Sequence, residues 1–188
     1  REHGLWFHVD GAYGGAGLFA PSVRDRYAGI ERADSFIVDP HKWLFAPYDC
    51  CALLYPDPER ARGVFRQEAS YLETVNQEGA AWNEWNPADF AYHLTRRARG
   101  LPFWFSLATY GTTRYSAAIE QGLRTAGEIA DGIRAADHLE LVLEPELSVV
   151  LFRRIDWSGD EMLEWSSAHR FAGTILIIPT KWRGESVF

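Results

Sequence analysis

Asp10, Lys42 and Tyr71 are the residues of this 188-residue sequence whose types and positions could do covalent and acid–base chemistry. Asp10 ends the apolar run Leu5-Trp6-Phe7-His8-Val9 and opens the glycine-rich stretch Gly11-Ala12-Tyr13-Gly14-Gly15-Ala16-Gly17. Ligands of open parallel sheets sit outside the carboxyl ends of the strands. An acid there is a candidate ligand partner, or else a turn aspartate holding its own backbone. Lys42 stands in Asp39-Pro40-His41-Lys42-Trp43, just after a second apolar run, Ser35 to Val38. Wedged between an imidazole and an indole, its amine is expected to be partly desolvated, which lowers its pKa and frees the neutral form for imine formation. The alternative is a snorkelling surface lysine. Tyr71 lies in a polar stretch and is a proton donor if that stretch closes over a site.

Two other chemistries compete for the same residues. His8 and Asp10 share one face of a strand, and His41 could complete a three-ligand metal site of hydrolase type, although the adjacent Lys42 would repel a cation. His93, His138 and His169 are isolated in sequence. Gly15-Ala16-Gly17-Leu18-Phe19-Ala20 spells a dinucleotide motif, which should follow its strand directly and open a helix. Five residues intervene, and Pro21 delays the helix until the motif is over.

Positioning these groups requires strands at 5–9, 35–38 and 51–55. A short amphipathic helix carried by Val23, Tyr27 and Ile30 links the first two as a parallel βαβ unit. Residues 62–98 lose periodicity, a length of irregular chain that is uncommon unless functional. A helix is expected over 101–136, with Ile119, Leu123, Ala126, Ala130 and Ile133 on one face and Gly111 and Gly122 as points of division. Strands at 139–143 and 148–152, a helix at 161–172 and a strand at 174–178 follow, the pattern of a small α+β domain.

Composition bounds the partners. The chain is 47% apolar with a net charge of −7 and scattered basic residues, which excludes global disorder and argues against a nucleic-acid partner. No run approaches the length of a membrane span. The adjacent Cys50 and Cys51 would point to opposite faces of a strand and suit a reducing compartment. With no leader pattern at Arg1, a cytoplasmic protein is expected.

His8-Val9-Asp10-Gly11-Ala12-Tyr13-Gly14-Gly15 and Asp34-Ser35-Phe36-Ile37-Val38-Asp39-Pro40-His41-Lys42-Trp43-Leu44 together resemble the cofactor-binding core of the pyridoxal phosphate-dependent group II decarboxylases. The spacings of 32 residues from Asp10 to Lys42 and 29 from Lys42 to Tyr71 are similar to those of the aromatic-L-amino-acid branch. The likeness continues through Tyr48-Asp49-Cys50 and Arg96-Arg97-Ala98-Arg99-Gly100-Leu101 to the end of the chain.

This resemblance implies an α/β architecture, the fold type I transferase fold, present in part. Residues 1–104 would form the later part of the large cofactor-binding domain, with a mobile catalytic loop at about 66–95. Residues 105–188 would form most of a small C-terminal domain. It implies pyridoxal 5′-phosphate held covalently by Lys42, Asp10 paired with the pyridine nitrogen, Ala12 packed against the ring and His41 near the phosphate. Position 39, also near the phosphate in the family, is Asp where relatives of the aromatic branch often have Asn, and a carboxylate would repel that group. Tyr71 matches the tyrosine that protonates the substrate carbon after carbon dioxide leaves; aldehyde-forming relatives tend to carry Phe. The implied reaction is decarboxylation of an L-amino acid, with aromatic amino acids the first expectation and a homodimer the implied assembly. Aldehyde synthesis, a metal-dependent hydrolase and an inactive scaffold are the alternatives. The family's main phosphate-binding loop and ring-stacking histidine have no counterpart here, so a partial sequence is expected, inactive by itself.

Overall fold

The computed structural model describes residues 3–67 and 86–188, arranged as two compact units. The first comprises residues 1–18 and 24–112, the second residues 19–23 and 113–188. Tyr71 lies outside the described residues.

The first unit is built on a three-stranded sheet ordered β1 (His8–Asp10), β2 (Ser35–Val38) and β3 (Ala52–Leu54). The β1–β2 pair is parallel, with Asp10 opposite Ile37, and β3 runs antiparallel to β2. The expected strands are therefore present, but the connection between the first two is not an α-helix. It is a series of 3₁₀ turns, Gly14–Phe19, Pro21–Tyr27 and Ile30–Arg32, broken at Gly29, whose φ of 96° is open to glycine. The strand expected at 5–9 begins only at His8: Leu5, Trp6 and Phe7 precede it and are all at least half exposed, and β1 has one strand neighbour among the described residues. The α-helix α1 (Pro58–Phe65), with Pro58 at its first position, and a 3₁₀ turn at Pro87–Phe90 add structure to the stretch read as aperiodic.

The glycines after β1 serve packing. A Cβ at Gly11 would lie 2.3 Å from Cε2 of Phe36 and 2.9 Å from the carbonyl oxygen of Ile37, and one at Gly15 would lie 2.5 Å from Cζ of Phe36. The Phe36 ring of β2 thus fills the space that side chains would take at Gly11 and Gly15, while the Tyr27 hydroxyl fills that at Gly17, a packing reason for these glycines. Gly11→Ala is expected to cost about 1–3 kcal/mol through overpacking, read as a lowered midpoint of thermal unfolding of the full-length protein.

Helix α2 (Gly100–Arg134) is interrupted at Gly111, where φ of 72° and ψ of 161° leave the helical region, one of the two division points expected. Its second half buries Ile119, Ala126, Ala130 and Ile133, with Leu123 half-buried. In the second unit, β4 (Leu139–Leu143) pairs antiparallel with β5 (Leu151–Arg154), and Phe152 exchanges backbone hydrogen bonds with Phe188. Helix α3 (Gly159–Phe171) begins in a capping box between Ser158 and Glu161 and buries Met162. The strand expected at 174–178 does not form. The Ser166 hydroxyl donates to the Ile177 carbonyl at 2.5 Å, and the pairing falls further on, in a hairpin of β6 (Thr180–Trp182) and β7 (Glu185–Val187). Its two-residue turn places Arg183 and Gly184 at φ of 51° and 88°, the positive values such hairpins favour.

Candidate active site

Parallel pairing of β1 and β2 brings their carboxyl ends to one edge of the sheet, and the loops leaving those ends carry Asp10 and Lys42. One contact fixes the first loop and two tie the loops together. One oxygen of Asp10 accepts the Ala12 N–H at 3.0 Å, the Ala12 carbonyl accepts the Asp39 N–H at 3.0 Å, and the rings of Tyr13 and Trp43 stack with centroids 5.2 Å apart, 5° from parallel. Asp10 is thus a turn aspartate whose carboxylate remains exposed, and the turn fixes its direction.

The second loop is a tight turn. The Lys42 N–H donates to the Asp39 carbonyl at 2.9 Å, with Pro40 second in the turn and Asp39 first, the places those residues favour. Pro40, Trp43 and Leu44 are buried around it. His41 is half-buried, edge-on to Tyr48, with Nδ1 against the Cys50 backbone, 3.1 Å from its N–H and 2.5 Å from its carbonyl oxygen. One tautomer accepts the former and the other donates to the latter.

The electrostatics of Lys42 differ from the sequence expectation. Its side chain is 41% exposed, and its Nζ lies 2.8 Å from Oδ2 of Asp39, which is 9% exposed. That hydrogen bond, with a smaller contribution from the charge of Asp10, holds the Lys42 pKa above its ordinary value, outweighing the desolvation expected to lower it. The same hydrogen bond holds the Asp39 carboxyl below the usual range. The Cys51 thiol, beside Asp39, is pushed up to about 11, by desolvation first and by Asp39 second. Sequence reasoning missed this Lys42–Asp39–Cys51 chain, whose one signal was an acid three residues before the lysine across a proline turn.

His8, Asp10 and His41 do not form a metal centre. His8 Nδ1 is engaged with the Ser35 hydroxyl at 2.7 Å, His41 faces the Cys50 backbone, and among the described residues no three such side chains gather. The two cysteines are free, Cys50 buried and Cys51 exposed. A cavity of about 940 Å³ in the first unit is lined by Trp6, Leu53, Phe65, Phe90 and Arg97 among others, and by none of Asp10, Ala12, His41 or Lys42. Arg99 donates to Asp49 at 2.9 Å, joining the two later stretches that carried the family likeness.

The donor set suits a carbonyl-bearing pyridine: an amine for the carbonyl, a carboxylate on the same sheet edge for a ring nitrogen, and the small Ala12 between the loops.

Residues 1–155 match the family described as pyridoxal-dependent decarboxylase conserved domain. Histidine decarboxylase of Drosophila melanogaster is 35% identical over 190 residues, covering 99% of this chain and 21% of the relative. Aromatic-L-amino-acid decarboxylase of Drosophila simulans is 35% identical over 154 residues, covering 81% of this chain and 29% of the relative. The crystal structure of Oryza sativa TDC with PLP and tryptamine superposes with a TM-score of 0.84 at 27% identity, covering 99% of this chain and 40% of that one. The chain therefore spans about a fifth to two fifths of the length of these relatives.

Proposed function

Because the chain belongs to the pyridoxal-dependent decarboxylase family, we propose that the full-length protein converts an L-amino acid to its amine and carbon dioxide, using pyridoxal 5′-phosphate held by Lys42. The fold is part of the α/β fold type I architecture. The observation that carries the reading is the placement of Asp10 and Lys42 on one edge of the β1–β2 pair, tied through Ala12.

Pyridoxal phosphate supplies, when bound, an aldehyde that condenses with amines and a protonated ring that accepts the electron pair left by departing carbon dioxide. Lys42 would hold the group through Nζ. Asp10, oriented by the Ala12 N–H, would keep a proton on the ring nitrogen through a charge-assisted hydrogen bond. Ala12 would leave room for the ring, and His41, steadied by the Cys50 backbone and Tyr48, is the residue proposed to meet the phosphate.

Aromatic L-amino acids are the proposed substrates, on the spacing of Asp10, Lys42 and Tyr71. Carbon dioxide release by the full-length protein across a panel of L-amino acids tests this. Release from tryptophan, tyrosine or 3,4-dihydroxyphenylalanine well above that from histidine, glutamate and 2,4-diaminobutyrate supports it; preference for the latter group contradicts it.

Tyr71 is proposed as the donor that protonates the substrate carbon, from a loop reaching the neighbouring subunit of a homodimer. Tyr71→Phe is then expected to lower amine yield by about 10²-fold or more, the usual worth of a positioned proton donor, while carbon dioxide release continues and, with dissolved oxygen taking up two electrons to give hydrogen peroxide, aldehyde and ammonia accumulate. Quantifying amine and aldehyde in the same reaction checks this, and unchanged amine yield refutes the role.

A further inference from the structure

We propose that Asp39 is a positioning residue whose buried carboxylate docks the ammonium form of Lys42 whenever that amine is not covalently engaged, and so controls how readily the amine takes up a carbonyl compound. An aspartate side chain only 11% exposed needs partners that replace lost hydration. The Lys42 ammonium supplies one at 2.8 Å, and the Cys51 thiol lies beside it. The turn fixes the first pairing, because the Lys42 N–H donates to the Asp39 carbonyl while the Asp39 N–H is held by Ala12. The titratable groups around the pair are His41 and Cys51 at Asp39, and Asp10 and Cys51 at Lys42. The two acids act on Lys42 in the same direction, toward the ammonium.

An ammonium cannot attack a carbonyl. Its proton must first leave, and Asp39, held below the usual carboxylate range, is a poor acceptor, so the proton goes to bulk water. Uptake of an aldehyde by Lys42 should therefore climb with pH over a higher range than for an ordinary lysine. An Asp39 engaged in this way is also withdrawn from any phosphate, which its charge would repel. The consequence for catalysis rests on the proposed role of Lys42 as cofactor anchor; the pairing itself does not.

Lys181 is the only other lysine of this sequence and is exposed, which makes it an internal reference. In the cofactor-free full-length protein, pulsed acetylation from about pH 7 to pH 11, bracketing the ordinary lysine pKa of about 10.4, is read by peptide mass spectrometry. Lys42 is expected to label severalfold more slowly than Lys181 across the lower part of that range. Asp39→Asn should shift the Lys42 profile to lower pH and quicken alkylation of Cys51 at fixed pH, while Asp39→Glu should restore much of the original profile. Coincident profiles for Lys42 and Lys181 in the unaltered protein overturn the proposal, and this comparison stands even if the variants fail to fold. So does an Asp39→Asn profile identical to the original in a variant of unchanged circular dichroism. Borohydride reduction after adding pyridoxal phosphate reports separately on the anchor: an adduct on Lys42 with no Asp39 effect sinks this proposal alone, and an Asp39 effect with no adduct sinks the cofactor reading alone.

Discussion

Lys42→Ala in the full-length protein is expected to lower kcat for carbon dioxide release by on the order of 10⁴-fold or more, comparable to removing a covalent nucleophile from other enzymes. Its Nζ is the amine that the β2 loop presents at the Asp10 edge of the sheet, and Lys181, on β6 of the second unit, is the other lysine of the sequence. The variant should also lose the visible absorption of bound cofactor on gel filtration. Activity within about tenfold of the original, a change of only 1.4 kcal/mol in the barrier, would contradict the anchoring role. Lys42 is 41% exposed, so its replacement leaves no cavity, and the thermal midpoint should be little changed.

Asp10→Asn is the second large effect, expected at about 10²- to 10³-fold in kcat, the scale of losing one preorganised electrostatic partner. Asparagine keeps an oxygen that can accept the Ala12 N–H, so the turn that now holds the carboxylate should survive. What it loses is the negative charge proposed to keep a ring nitrogen protonated. The expected signature is a fall in kcat with the cofactor still attached to Lys42. Loss of cofactor together with activity would instead assign Asp10 to binding, and full activity would remove it from the chemistry. The charge of Asp10 also contributes to holding the Lys42 pKa high, so the variant should ease amine labelling slightly, less than Asp39→Asn does.

The sheet edge that carries the site was legible because strand signals are local. Ser35–Val38 formed as read, and an acid after one strand with a lysine after the next places both groups together once the strands are parallel. The apolar face of α2 was legible for the same reason, since Ile119, Ala126, Ala130 and Ile133 repeat at helical spacing. The ionisation of Lys42 was not. Its neighbours in sequence, His41 and Trp43, suggested a desolvated amine, whereas the turn folds Asp39 back to 2.8 Å and reverses the sign. The 3₁₀ character of the 21–32 segment and the placement of the final pairing at 180–187 depended on competition between backbone hydrogen bonds, which composition does not encode. The glycine cluster showed its purpose only when Phe36 was seen in the space above Gly11 and Gly15.

The central claim is a covalent bond between Lys42 and the cofactor. Purified full-length protein, reduced with borohydride and digested with trypsin, is the direct test. Reduction should block cleavage after Lys42 and yield a peptide spanning 33–60 that carries one pyridoxyl phosphate group, since Arg60 is the next basic residue. An unmodified peptide ending at Lys42, from protein prepared with ample vitamin B6, would contradict the account.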